Sequence, residues 1–551
     1  MRTRHTRRVK SRFSLAALAV VASGIAIAGW TATMGVAAVT PAKAPASSPS
    51  TVPAPELTPP TCKKPSGTLN YGIAGQGINS LDATTNANAP QSVMFPLVFP
   101  GLVAIQPDGT MRPDIATKWK SSADQKTWWF WIHHNIRWSN GQPFTSADVV
   151  SVYLHDLSPS VASIAKTFIN DVQSVRAINK YEIRFKLGSP SAIFMDQIFQ
   201  VYMENMADPT TLQTNGIGTG PYKVASYVPN SLLTLVPNPY YWGPKPCFAK
   251  INVIAQPDPT AMVTAFTNGT LDMIWQVPTT DINQIQQIPT AKFIGPRTVS
   301  SIHVMLLDMS SAPFNNPLAR EALSYAIDRK SMVQVALSGV ANTANGNSLL
   351  STNSPFYDKA LPNVPFDLQK AQQLFTQAGV KPGTTFTYLT QAGKRPEWVT
   401  MGEILQQDLQ KIGLNLNIVQ QDPATYQKGF LPVGKQYPNT IVADFLSLQP
   451  DPILGLQFAL AGKCECNWNN TTGTQLQQYN QYYNLIGKAR AESDPAKRQA
   501  IYNQLQSLWA QVDPFIVIAS QSNLVAQSKS ITGAWVDPRG NTHLEDARIM
   551  S

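Results

Sequence analysis

An α/β protein of more than one domain is predicted, on three observations. At 551 residues the chain is too long for a single core. A strand-rich stretch occupies its middle, and beyond it helical and strand periods alternate, which is the pattern of an α/β lobe. Apolar residues make up 43% of the chain, enough to fill several cores.

The elements follow in order. Residues 67–73 read as a first strand. Between about Val98 and Asn215 lie a Trp-rich strand, Thr127 to Ile132, a helix from Ser146 to Leu157 and an alternating strand from Glu182 to Leu187. From Gly216 to about Arg297 strands dominate. Tyr222-Lys223-Val224 and Leu232 to Val236 are joined by a Pro229-Asn230 turn, and Ile251 to Ile254 follows. The period then changes. Pro317 opens a helix behind Asn316, with Leu318, Ala322, Tyr325, Ala326 and Arg329 at helical spacing. Asp367 caps a helix from Leu368 to Ala378 that Gly379 stops. Pro396 to Ile412 is the next, ended by Gly413 before the alternating strand Leu414 to Ile418. Asp494-Pro495 opens a helix through Trp509, and Pro514 introduces the buried strand Phe515 to Ile518.

The formal charge of +10 is uneven. Residues 1–38 hold six cations, Arg2, Arg4, Arg7, Arg8, Lys10 and Arg12, and no acid, leaving +4 for the remainder. That remainder has no basic run interleaved with aromatics, so nucleic acid is not an expected partner. Charged residues are only 14% of the chain, a surface whose character changes little with external pH.

The basic start followed by the apolar run Ser14 to Val39 has the layout of an export signal. Cleavage is expected after Ala38, and the alternative is a retained anchor, since 26 residues suffice to cross a bilayer. Residues 39–61 are rich in Pro, Ala and Ser and form a spacer. Four cysteines suit an oxidising compartment and allow three pairings. We favour Cys62–Cys247, one before the first strand and the other just before Ile251. Cys464-Glu465-Cys466 closing on itself is strained.

Several motifs recur in one order. They are Ser80-Leu81-Asp82, Trp138 to Val149 (WSNGQPFTSADV), Gly218 to Val224 (GTGPYKV) with Asn238 to Gly243 (NPYYWG), Asn268 to Asp272, and Ala312 to Asn315 followed by Arg320 to Arg329. Together they resemble the bacterial extracellular solute-binding proteins of family 5, the oligopeptide- and dipeptide-binding components of ABC transporters. The resemblance implies a bilobed, periplasmic-binding-protein-like fold of class II with three domains and a hinge between the lobes. Domain I takes residues 62–97, 216–300 and 525–551, domain II residues 98–215 and domain III residues 301–524. The crossovers fall near Ser300–Val304 and Ala519–Val525. A monomer is implied that binds a peptide or similar small solute and passes it to the membrane permease of an ABC transporter. A nickel chelate, an oligosaccharide or an opine is the alternative within the fold; an exported hydrolase or a surface sensor is the alternative outside it.

No enzyme signature is found: no G-x-S-x-G, no H-E-x-x-H and no Walker A run. No catalytic residue, cofactor or metal site is therefore expected. Gly72, Gly75 and Gly77 read as a turn. His133 and His134, adjacent on an extended segment, face apart and are read as surface or packing residues. The main ligand candidate is Asp444, in Val442-Ala443-Asp444-Phe445, where the resemblance implies a carboxylate for a peptide's ammonium group; the other reading is a turn aspartate. Trp275, His303, Met305 and Trp468 stand where relatives line the cleft, with core packing the other reading for each.

Overall fold

Three β-sheets organise the protein, and the chain enters two of them more than once. The computed structural model describes Cys62 and residues 64–550, apart from residues 76, 85–92, 108, 296–300, 347, 353, 392–394, 423–424, 427–438, 448–450, 461–472, 522–523 and 538–539, and the side chains of 457–460. Residues 1–61, with the export signal and spacer, lie outside the described part, as do Trp468, Cys464 and Cys466.

The first sheet has seven strands. They are β1 (Thr68–Ala74), β6 (Tyr222–Val228), β7 (Leu232–Pro237), β8 (Lys250–Gln256), β9 (Met273–Trp275), β10 (Ala291–Ile294) and β17 (Val525–Ser528), in the order β10-β17-β9-β1-β8-β7-β6. β1 runs parallel to β8 and β9, and the outer pairs are antiparallel. Between β1 and β6 the chain builds an antiparallel four-stranded sheet from β2 (Ala116–Ser121), β3 (Thr127–Ile132), β4 (Val172–Asn179) and β5 (Glu182–Leu187), ordered β2-β3-β5-β4. Helix α1 (Ser146–Leu157) covers one face of this sheet. In β3 the alternation is strict: Trp128, Phe130 and Ile132 are buried under α1, while Thr127, Trp129 and Trp131 face out.

The second large sheet has six strands: β11 (Ser301–Leu307), β12 (Asn342–Thr343), β13 (Thr385–Gln391), β14 (Asn415–Gln421), β15 (Thr440–Ser447) and β16 (Phe515–Ser520), ordered β12-β16-β11-β15-β13-β14. Its helices include α2 (Pro317–Ala326), α3 (Leu368–Gln377), α4 (Pro396–Lys411), α5 (Gly473–Ala491) and α6 (Pro495–Val512). β11 is buried at every position, as a central strand covered on both faces must be. The chain thus passes between the two large sheets twice, from β10 to β11 and from β16 to β17. The result is a bilobed α/β fold.

Local chemistry sets the helix ends. Asn316, Asp367 and Asp494 each accept a backbone N–H of the first turn behind which their helices start. Thr145 and Asp148 cap α1 reciprocally, and Asp148 also accepts the indole N–H of Trp138. α2 stops at Ala326, short of the expected Arg329. Ile327 leaves helical geometry and Asp328 caps a new turn. The two arginines of this motif are buried girders: Arg320 donates to the carbonyls of Val512 and Phe314, and Arg329 to those of Val517 and Ser324.

The glycines of Gly218-Thr219-Gly220 do not form a left-handed turn, since neither has positive φ. They let the backbone pass against residues 97–98. A Cβ on Gly218 would collide with the carbonyl oxygen of Val98, and one on Gly220 with that of Leu97. Asn238 locks the same corner by donating to the carbonyl of Gly220 at 2.9 Å. Gly218→Ala is therefore expected to cost about 3 kcal/mol, the upper end for overpacking, because the obstacle is backbone. Gly487→Ala, in α5 with open space around it, should be neutral or stabilising by up to ~1 kcal/mol. Urea unfolding of both variants checks the contrast, and an unchanged midpoint for Gly218→Ala would refute it.

Cys62 and Cys247 form a disulfide, with Cα atoms 5.3 Å apart and 185 residues of separation. Ser66 donates its N–H to the carbonyl of Cys247 beside it. The bridge ties the start of the folded part to the approach of β8. Closing so long a loop contributes on the order of 2–5 kcal/mol. Among the described residues no helix is long and apolar enough to cross a membrane.

Candidate functional site

The lobes face each other beside the two crossings. β9 ends at Trp275, and the chain turns through Gln276, held at a φ of 55°, into Val277-Pro278-Thr279. A non-glycine residue in that left-handed region carries a conformational cost that tends to be retained at functional positions. Across from it α4 begins at Pro396, directly behind Arg395. The second crossing contributes Gln521 and Leu524. With Ala74 at the end of β1 and Glu397, these residues line a cleft enclosing about 520 Å³ of empty space. An outer chamber of about 980 Å³ shares Pro278, Arg395 and Pro396 with it and adds Thr280, Asp281, Gln391, Glu403 and Gln420.

Arg395 is the centre of charge in this cleft. Its guanidinium lies 4.3 Å above the ring of Phe445 and 5.5 Å from that of Trp398, and its Nη1 is 3.2 Å from the Glu397 carboxylate. Stacking on two aromatics and pairing with a buried acid fix the direction of the guanidinium. Eight of the other lining residues carry amides or hydroxyls, set among prolines and other apolar side chains. Such a surface offers uncharged donors and acceptors to a ligand's main chain, with a cation and carboxylates for its charged groups.

The sequence-predicted residues are distributed differently from expectation. Trp275 is core, its indole N–H donating to the Gly540 carbonyl at 3.1 Å. Met305 is buried in the second lobe's core. His303 stands behind the cleft wall: its Nδ1 accepts from the Trp398 indole, so its Nε2 carries the proton and donates to the Gln521 amide oxygen at 2.7 Å. Burial, with the Arg395 cation beside it, holds its pKa down at about 3, so it is neutral at any ordinary pH. In this structure all three serve packing, because strand position in sequence does not reveal which faces of a central strand are covered. Asp444 is on β15 opposite Val304, half-buried in a strand and not in a turn. Alternation places its side chain on the face opposite Phe445, and it does not line the two cavities above. His133 packs on Trp242 and His134 on Tyr181.

Sequence reasoning passed over Arg395, Glu397, Gln276 and Gln521. One signal was available for the first. A cation at the N-cap of a helix opposes the helix dipole, and Arg395 occupies that position on α4 without capping it.

A larger cavity, about 1460 Å³, lies within the first lobe between Asp114, Tyr241, Trp242 and the C-terminal segment, and shares no lining residue with the cleft. His543 sits between Glu545, 2.8 Å from Nδ1, and Asp537, 3.3 Å from Nε2. Burial lowers the imidazole's basicity, but the two acids outweigh it and push the pKa up to about 9. This cluster fastens the C-terminal segment.

A family model described as bacterial extracellular solute-binding proteins, family 5 Middle, matches residues 110–444. The nickel-binding periplasmic protein of Escherichia coli (strain K12) is 27% identical over 352 residues, 60% of this chain and 67% of its own length. The probable D,D-dipeptide-binding periplasmic protein of the same strain is 24% identical over 481 residues, 83% of this chain and 89% of its own length. A dipeptide binding protein from Pseudoalteromonas sp. SM9913, solved in complex with Met-Leu, superposes with a TM-score of 0.76 at 20% identity. The match covers 88% of this chain and 100% of that one.

Proposed function

Because this chain belongs to the bacterial extracellular solute-binding proteins of family 5, we propose that it is an extracytoplasmic receptor that captures a short peptide between its lobes and delivers it to an ABC importer. The observation that carries the peptide reading is the cleft itself, lined by amides, hydroxyls and prolines, with Arg395 and Glu403 on the second lobe's side and Asp281 on the first lobe's. A zwitterion with a hydrogen-bonding main chain matches that arrangement. Rotation about the crossings between β10 and β11 and between β16 and β17 would open and close the site. Such a receptor works by differential affinity and domain closure and needs no catalytic group. Native mass spectrometry of the gently purified protein tests the reading. A retained mass equal to a short peptide is expected; a nickel chelate, an oligosaccharide or an opine in its place would sink it, and turnover of added peptides would point to a hydrolase.

We also propose that export ends in cleavage after Ala38, because the apolar run is rich in alanine and glycine and only modestly hydrophobic. N-terminal sequencing of the native protein should begin at Val39. Recovery only with membranes, beginning at Met1 or Arg2, would show a retained anchor instead.

A further inference from the structure

The outward face of the four-stranded sheet is chemically unlike the rest of the surface. Lys118 and Lys120 project from β2, Trp129 and Trp131 from β3, Arg184 and Lys186 from β5 and Arg176 from β4. Across the strands Lys120 faces Trp129, Trp129 faces Arg184, and Arg184 faces Arg176. Like charges directly opposite one another destabilise a sheet, so the fold gains nothing from that last pair. Among the described residues none of the five cations is in an ion pair. The acids at hand are Glu182, opposite Trp131 and held by Asn179, and Asp124 in the β2–β3 turn, held by Ser122. Five unneutralised cations therefore share one sheet face.

We propose that this face is a docking surface for an anionic phospholipid bilayer. Its occupant must be a polyanion, and the geometry selects which. The face is an open sheet, and none of its residues lines the cavities described above, so it does not cradle a small anion. The ring faces are already lidded: Lys118 lies 4.9 Å from the Trp131 centroid and Lys120 4.9 Å from that of Trp129. Strand-like polyanions that stack sugars or bases need bare aromatic faces, whereas a lipid surface needs only a layer of cations. Tryptophan bodies flanked by lysine and arginine are also the composition of the membrane–water interface. Attachment of this kind is superficial and electrostatic, and it leaves the inter-lobe cleft, built by other elements, unobstructed. The inference stands apart from the identity of the solute.

Vesicle sedimentation of the intact chain tests it. Binding is expected to vesicles of phosphatidylglycerol mixed with phosphatidylcholine, above any binding to pure phosphatidylcholine, and to fade with added salt. Each cation removed should weaken the anionic component about fivefold, so Arg176→Gln with Arg184→Gln should weaken it about 25-fold. The pair Lys330→Gln and Lys359→Gln, exposed on the other lobe, removes the same charge and should change it little. Equal binding to both vesicle types, or equal loss in the two double variants, would overturn the proposal. So would tighter binding to heparin than to anionic vesicles, abolished by the same arginine substitutions, since the occupant would then be an acidic glycan.

Discussion

Replacing Asp444 by asparagine is expected to weaken binding of a peptide with a free N-terminus by roughly 30- to several-thousand-fold, or about 2–5 kcal/mol. The substitution keeps shape and removes the charge that would answer the ammonium group. Asp444 stands on β15 between Ala443 and Phe445 and across from Val304, in the middle of the second lobe's sheet. Its carboxylate accepts the Phe445 N–H at 2.6 Å and lines neither inter-lobe cavity, so this outcome requires the peptide's amino end to reach past both cavities to β15. N-acetylated peptides should bind the wild type poorly, and the variant should distinguish free from acetylated peptides far less. Calorimetry with both proteins and both ligands yields the coupling energy directly. If all four affinities agree, the ammonium group is recognised elsewhere, and Arg395 and its neighbouring acids become the place to look.

What could be read from the sequence, and what could not, divides along physical lines. Helix starts were legible because a cap is a local event: Asn316-Pro317, Asp367 and Asp494-Pro495 each carry the acceptor and the first-turn residues within a few positions. Strand faces were legible in β5, where Glu182, Arg184 and Lys186 alternate with Ile183, Phe185 and Leu187, but not in β3, where Trp128 to Ile132 are all apolar and only the structure shows Trp129 and Trp131 turned out. They were illegible in β11, buried on both sides, which left cleft and core both open for His303 and Met305; their partners are Trp398, Gln521 and the second lobe's core. The role of Gly218 and Gly220 was hidden for a related reason. Their constraint comes from the carbonyls of Leu97 and Val98, roughly 120 residues earlier, and a motif shows the glycines without the obstacle. Arg395 announces itself only once α4 is known to start at Pro396.

Closure of the lobes is expected to be favoured by acid, through Asp196. This residue, on the short helix Phe194–Ile198 of the first lobe, faces Asp451 and Arg498 of the second. The surroundings join the lobes: Phe168 and Ile193 pack into the second lobe's core, the Ala192 N–H donates to the Arg490 carbonyl, and Arg490 pairs with Asp171 at 3.6 Å. Asp451 is itself committed to Tyr502, the Ile453 N–H and Arg498. Burial, and then the Asp451 charge, push the Asp196 pKa up to about 7, against an ordinary value of 3.8. A hinge motion that separates these surfaces returns Asp196 to water and to its ordinary pKa. Closure then takes up a proton: the stabilisation is complete below the ordinary carboxylate range and is lost as pH rises through about 7. His543 titrates above this window. Asp114 and Asp156, each raised to about 6, titrate within it, but both lie inside the first lobe, where they affect unfolding more than closure. Between about pH 8 and about pH 5 the closed form of the ligand-free protein should gain at least tenfold in population, a conservative share of the shift because Asp196 is partly exposed. Small-angle scattering should show the radius of gyration falling across that range in the wild type. In Asp196→Asn it should stay small at both ends, since the amide is neutral throughout. A wild-type profile that does not change with pH would mean that Asp196 keeps its surroundings when the lobes move, and that the hinge acts without breaking this contact.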